Sequence, residues 1–190
     1  MKPSFKFIRV RDVHVPTRAN AGDAGIDFYV PKDLTIEDIV KANSKNDTFI
    51  NITFAQDITS LRNEPNVTQI ILPPHSRISI PSGIRGILEP EASMLQANNK
   101  SGISSNGGII FSAEVVDSGY LGEIHLGVIN TGQYKYVIEA GKKLVQFIHV
   151  PIYLSKPEEI KDSEFMELKT KKELESGRGE AGMGSGKETL

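Results

Sequence analysis

From Phe5 to Ile152 the chain is a succession of short apolar-rich runs, each closed by residues that turn a backbone. The runs are Phe5 to Val10, Gly25 to Val30, Thr48 to Phe54, Thr68 to Leu72, Ser76 to Ile80 and Gly86 to Glu89, then Gly108 to Ser112, Glu114 to Asp117, Glu123 to Ile129, Tyr136 to Ile138 and Lys143 to Ile152. Pro73-Pro74, Pro81-Ser82-Gly83, Asn106-Gly107-Gly108, Asn130-Thr131-Gly132 and Ala140-Gly141 separate them. Runs this short cannot make long helices. As strands, they bury their apolar faces only when sheet closes on sheet. The pattern predicts an all-β fold, a barrel or jelly roll.

One segment departs from the strand pattern. Thr35 stands three residues before Asp38, with Ile36, Ile39 and Val40 at helical spacing, which predicts a short capped helix over 35–43. Residues 33–69 around it read as an insertion in a single β domain spanning 1–155. From 156 to 176 Lys and Glu dominate with sparse apolar residues, as in a solvated helix or strap. The last stretch, 177–190, is glycine-rich and reads as a mobile arm. Glycine there would let backbone N–H groups approach an anion, but the spacing is not that of a P-loop: Ala181 and Glu188 stand where Gly and Ser or Thr are needed.

Composition removes several function classes. The 190 residues carry a net charge of -2, no field to draw in nucleic acid or an anionic membrane. Without cysteine there is no disulfide, thiolate metal site or thiol nucleophile. The four histidines (His14, His75, His125 and His149) lack metal-ligand spacing. No apolar run approaches the length of a membrane span, and the N-terminus lacks a signal-type core. The expectation is a soluble cytoplasmic or other intracellular protein.

Chemistry concentrates in a few places. Ala113 to Glu123 alternates around Ser118-Gly119 and reads as a hairpin that displays the Asp117 carboxylate and the Tyr120 ring. Such a tip can bind a base and activate water, although turn-forming aspartates are common. Ala21-Gly22-Asp23-Ala24-Gly25-Ile26-Asp27 sets two carboxylates about a glycine turn. Lys100-Ser101-Gly102 combines a cation, a hydroxyl and a permissive backbone. In Lys143 to Pro151 a polar amide, Gln146, lies between apolar neighbours.

These segments, in this order with the glycine-rich tail, resemble the ordered motifs of the trimeric dUTP pyrophosphatase (dUTPase) family, which is related to the dCTP deaminases. The resemblance covers residues 5–32, 70–153 and 177–186. It implies a jelly-roll-like dUTPase β barrel, a homotrimer with three shared active sites, Mg2+, and hydrolysis of dUTP to dUMP and pyrophosphate. By position it makes Asp117 the general base and Tyr120 the ring that screens the sugar. Lys100, Ser101, Gly102 and Gln146 would hold the phosphates, while Asp27 would organise the metal and water side. Arg178, Gly182, Met183, Gly184 and Ser185 would form the closing arm. Three positions depart from the family pattern: Lys100 replaces an arginine, Glu114 a glycine, and Met183 a phenylalanine over the base. A protein partner at the 33–69 insertion is a further expectation. The deaminase alternative needs a glutamate on the strand after the hairpin, where this chain has Gly127.

Overall fold

A computed structural model describes residues 2–57 and 65–176. The chain divides into two units, 1–153 and 154–190. The first holds the strands β1 (Ser4–Arg9), β2 (Ile26–Tyr29), β3 (Thr53–Asp57), β4 (Asn66–Leu72), β5 (Arg77–Pro81) and β6 (Ile84–Glu89). They are followed by β7 (Ser93–Asn98), β8 (Ile109–Phe111), β9 (Val115–Asp117), β10 (His125–Asn130), β11 (Tyr136–Glu139) and β12 (Lys143–Pro151). Four small sheets result, ordered β1-β6, β5-β10-β8, β11-β4-β3 and β2-β12-β7-β9. The all-β, jelly-roll-like architecture expected from the punctuation is what the chain adopts.

Alternation explains the core. Along β7, Ser93, Leu95 and Ala97 point inward while Met94, Gln96 and Asn98 lie half-buried. Phe28 and Phe147, on neighbouring strands, meet with ring centroids 4.6 Å apart. Leu72, Ile80, Leu95 and Leu126 are fully buried. Side chains of this size each stabilise the fold by about 2 kcal/mol.

Helix α1 (Ile36–Ala42) begins where Thr35 placed it, with a complete capping box: the Asp38 N–H donates to the Thr35 hydroxyl, and the Thr35 N–H donates to the Asp38 carboxylate. Leu34, Ile39, Ile52 and Val67 are buried members of the main core. Beyond α1, the Asn43 amide donates to the Ile39 and Ser79 carbonyls and its oxygen accepts the Ser79 N–H. Side chains of this segment thereby satisfy the free edge of β5.

Four local expectations need correction. Thr48–Phe54 is not one strand: a single 3-10 turn, Phe49–Asn51, precedes β3. Strand β7 was not expected, because its inward residues are mostly small. Helix α2 (Ser101–Gly107) also went unread; it ends at Gly108, whose φ of 66° lets its N–H reach the Ser104 carbonyl. Finally, Asp117 to Tyr120 is a turn but not the tip of a hairpin. Strand β9 pairs with β7, and β10 pairs with β5 and β8. The turn thus passes the chain from one sheet to another.

The second unit holds α3 (Asp162–Ser176), a helix with no buried residue. No helix among the described residues is long and apolar enough to cross a membrane.

Candidate active site

The Asp27 carboxylate lies at one end of the β2-β12-β7-β9 sheet and is almost fully buried. Its backbone is fixed by reciprocal hydrogen bonds with Thr17. Two ammonium groups converge on it. Lys100, between β7 and α2, reaches Oδ1 at 2.5 Å, and Lys143, at the start of β12, reaches Oδ2 at 2.8 Å. Burial works against a charge on Asp27, but hydrogen bonds and attraction from Lys100 and Lys143 outweigh it and hold the carboxyl below the ordinary carboxylate range. The Lys143 ammonium is correspondingly held above its usual value by Asp27.

The other carboxylate of the glycine turn has a different task. Asp23 accepts hydrogen bonds from the Asn20 N–H and amide, while the Arg18 guanidinium donates to the Asp23 and Ala24 carbonyls. This folds the loop so that Gly25 meets Gln146. A Cβ at Gly25 would lie 2.2 Å from the Gln146 Oε1, so a larger residue would push the amide out of this position. The Gln146 amide in turn donates to the Asn99 carbonyl at 2.6 Å, next to Lys100. Asp27, Gln146 and Asn98 form one register row across three strands. Ser101, the first residue of α2, is exposed beside them. Asp27, Lys100, Ser101, Gly102 and Gln146 therefore gather at one end of the sheet.

Asp117 and Tyr120 do not join them within the chain. Asp117 pairs with Met94, four residues from the Asn98 row, or about 13 Å along the strands. It is exposed, and none of the described residues donates to its carboxylate. Its carbonyl accepts the Tyr120 N–H, which closes the turn. The Tyr120 hydroxyl donates to the Glu123 carbonyl at 2.9 Å. Gly122 makes room for this: a Cβ there would lie 2.5 Å from that hydroxyl. Arg178, Gly182, Met183, Gly184 and Ser185 lie outside the described residues.

A buried, doubly paired aspartate and an open carboxylate beside a fixed ring fit the motif order read from the sequence, and the family comparison agrees. The model of the dUTPase family matches residues 66–185. The chain belongs to the dUTPase family. A deoxyuridine 5'-triphosphate nucleotidohydrolase of Clostridium kluyveri is 34% identical over 122 residues, which cover 63% of this chain and 78% of that protein. Its Fusobacterium nucleatum counterpart is 28% identical over 183 residues, 95% and 98% of the two chains. Among solved structures, a staphylococcal phage 80alpha dUTPase aligns with a TM-score of 0.65 at 18% identity over 96% of this chain and 98% of that one. A dUTPase of the S. aureus phage phi11, described with a structural Mg(II) ion, aligns with a TM-score of 0.60 at 16% identity over 84% and 97%.

The dUTPase assignment also bears on Gly127. It lies buried on β10, and a Cβ there would come within 2.4 Å of the Ser112 hydroxyl, so a side chain at this position would require Ser112 to move. Sequence reading missed Lys143, the second cation on Asp27, although the Lys142-Lys143 pair opening a strand hinted at it. It also missed Arg11, which lies in no motif, and gave no role to Glu123, the last residue of the Ala113–Glu123 segment.

Proposed function

We propose that the chain hydrolyses dUTP to dUMP and pyrophosphate by attack of water on the α-phosphorus, in sites built between the subunits of a homotrimer. The observation that supports this best is the separation of the two halves of the chemistry. The Asp27, Lys100 and Gln146 end and the Asp117 turn stand about 13 Å apart along the strands. Neither half suffices alone. A second copy that places its Asp117 against the first copy's Ser101 completes one site.

In that site Asp117 orients a water and accepts its proton, a contribution of about 10²- to 10⁴-fold for a well-placed base. That none of the described residues donates to its carboxylate suits it to the task. Lys100, the Ser101 hydroxyl and the Gly102 N–H face the phosphates. Lys100 is a point charge rather than a fork, and Asp27 fixes its direction. The Tyr120 ring packs on the sugar and leaves no room for a 2′-hydroxyl. Backbone groups of the turn pair with uracil O4 and N3–H, a pattern that cytosine inverts.

Mg2+ fits this arrangement only as a companion of the substrate. Among the described residues no three carboxylates, histidines or cysteines gather as a metal cage, and both Asp27 oxygens are already paired. Held by triphosphate oxygens and water, with Asp27 on its outer side, the ion would supply charge neutralisation at the phosphates.

The test has three parts. Product analysis with Mg2+ against dUTP, dCTP, dTTP, dATP and UTP should give dUMP and pyrophosphate from dUTP and no ammonia from dCTP. Asp117→Asn and Ser101→Asp subunits, each inactive alone, should regain activity when unfolded and refolded together. Light scattering should give the mass of three chains. An active monomer, or no regain on mixing, would refute the shared site.

A further inference from the structure

The Tyr120 ring is not held by its own turn alone. Its hydroxyl donates to the main-chain carbonyl of Glu123, so the ring is placed as well as Glu123 is placed. The Glu123 carboxylate is fixed unusually firmly for a loop residue. Its Oε1 accepts from the Arg11 Nε at 2.7 Å and from the Gly83 N–H at 2.7 Å, and its Oε2 accepts from the Arg11 guanidinium at 3.3 Å. This is the two-pronged contact that a guanidinium makes and an ammonium cannot. The remaining prong of Arg11 reaches the Asp38 Oδ2 at 3.1 Å, and Asp38 is the capping-box residue of α1. Arg11 and Glu123 keep less than a fifth of their side-chain surface exposed, so water replaces these bonds poorly.

One chain of contacts thus runs from α1 through Arg11 and Glu123 to the Tyr120 hydroxyl. We infer that Arg11 is a positioning residue for the Tyr120 ring, and that by locking Glu123 to α1 it sets how strictly the site prefers deoxyribose to ribose. This rests on the assignment of Tyr120 as the ring that screens the sugar. A ring that must exclude one hydroxyl oxygen has little tolerance, because a shift of an ångström opens the volume it guards. Loop residues 121–123 have no strand partners to hold them, and the Arg11 fork supplies that restraint. Burial opposes the Arg11 charge, but Glu123 and Asp38 more than offset it, and Asp38 is itself held below the usual carboxylate range by Thr35 and Arg11 despite burial. The capping helix therefore acts on nucleotide choice without touching nucleotide.

The experiment measures kcat/KM for dUTP and UTP in the full chain carrying Arg11→Gln, Arg11→Lys, Tyr120→Phe and the Arg11→Gln/Tyr120→Phe pair, with Tyr120→Ala as reference. The dUTP-over-UTP ratio should fall about tenfold in Arg11→Gln, with a smaller fall in Arg11→Lys. Tyr120→Phe should fall similarly. The double variant should match the worse single one, because both changes cut the same link. An Arg11 that serves only folding would lower the melting temperature, leave the ratio unchanged and multiply with Tyr120→Phe. That result overturns the inference while leaving the sugar screen intact. Should Arg11→Gln not fold, Arg11→Lys completes the same cycle. An unchanged ratio in Tyr120→Ala refutes the screen and the inference with it. Absence of dUTP turnover in the unmodified chain refutes the proposed reaction instead.

Discussion

The two ends of the β2-β12-β7-β9 sheet are built on opposite principles. At the Asp27 end, charge is buried and compensated: the carboxylate meets two ammonium groups, and glycine and glutamine interlock around it. At the Asp117 end, the carboxylate stands in the open, and only a ring beside it is fixed. The first end is complete in one chain and contributes stability. The second makes few contacts within its own chain among the described residues, which suits its carboxylate to the proposed role in a site shared with another. Groups that hold charged phosphates can be satisfied in advance by each other, whereas a base must keep its lone pairs available.

The largest break in this contrast should come from Asp117→Asn. Turnover of dUTP should drop about 10³-fold, while a non-hydrolysable analogue still binds and the melting temperature stays put. Equal loss of binding and turnover would show that Asp117 holds substrate instead of activating water. The same change at Asp27 should do the reverse. Asp27→Asn leaves two lysines facing a neutral amide, which should cost about 2–3 kcal/mol in a denaturant melt, since partial exposure of Lys143 lets water take up some of the loss.

That second effect has a defined pH dependence. The Asp27 carboxyl is held lower in the folded chain than in the unfolded one, so its contribution is full above the unfolded value of about 4. It is lost as pH falls through the folded value. The stability gap between the unmodified chain and Asp27→Asn should stay constant from pH 8 to about 5 and close in stronger acid. A gap that closed on raising the pH would mean that a lysine, not Asp27, controls the pair.

Smaller changes sharpen the comparison. Gly25→Ala drives a Cβ into the Gln146 amide and displaces it from the Asn99 carbonyl, which should cost about 1 kcal/mol with a raised KM for dUTP. Gly122→Ala presses only on the far end of the Tyr120 side chain, so stability should stay within about 0.5 kcal/mol. Its effect should appear in the dUTP-over-UTP ratio, a fall of a few fold. Steady-state kinetics beside melts on both variants separates the two ends.

Legibility followed the reach of each interaction. Thr35 and Asp38 are three residues apart, and their capping box was readable as written. Strand β12 announced itself by its β-branched and apolar residues, interrupted only at Gln146 and His149, and the sheet neighbours of Gln146 did not. Strand β7 is central in its sheet yet inward-facing through Ser93, Leu95 and Ala97, only one of which is large. Its burial comes from neighbours, which no local pattern records. Ser118-Gly119 did mark a turn, but whether the strands beside it pair depends on what each finds across the sheet, and both found other partners.

Candidate chemistry divided in the same way. Motif order singled out Asp27, Lys100, Ser101, Gln146, Asp117 and Tyr120, because the residue types and their sequence were enough for the resemblance. The roles of Lys143, Arg11 and Glu123 were not legible, since each acts through a residue distant in the chain: Arg11 meets Glu123 across 112 positions. The fold class, the capped helix and the candidate chemical groups follow from residue type and short spacing. Which carboxylate is buried between cations and which is left open emerges only when the chain folds. That choice depends on desolvation and on partners brought together by folding, and neither is a property of a residue before the chain has closed around it.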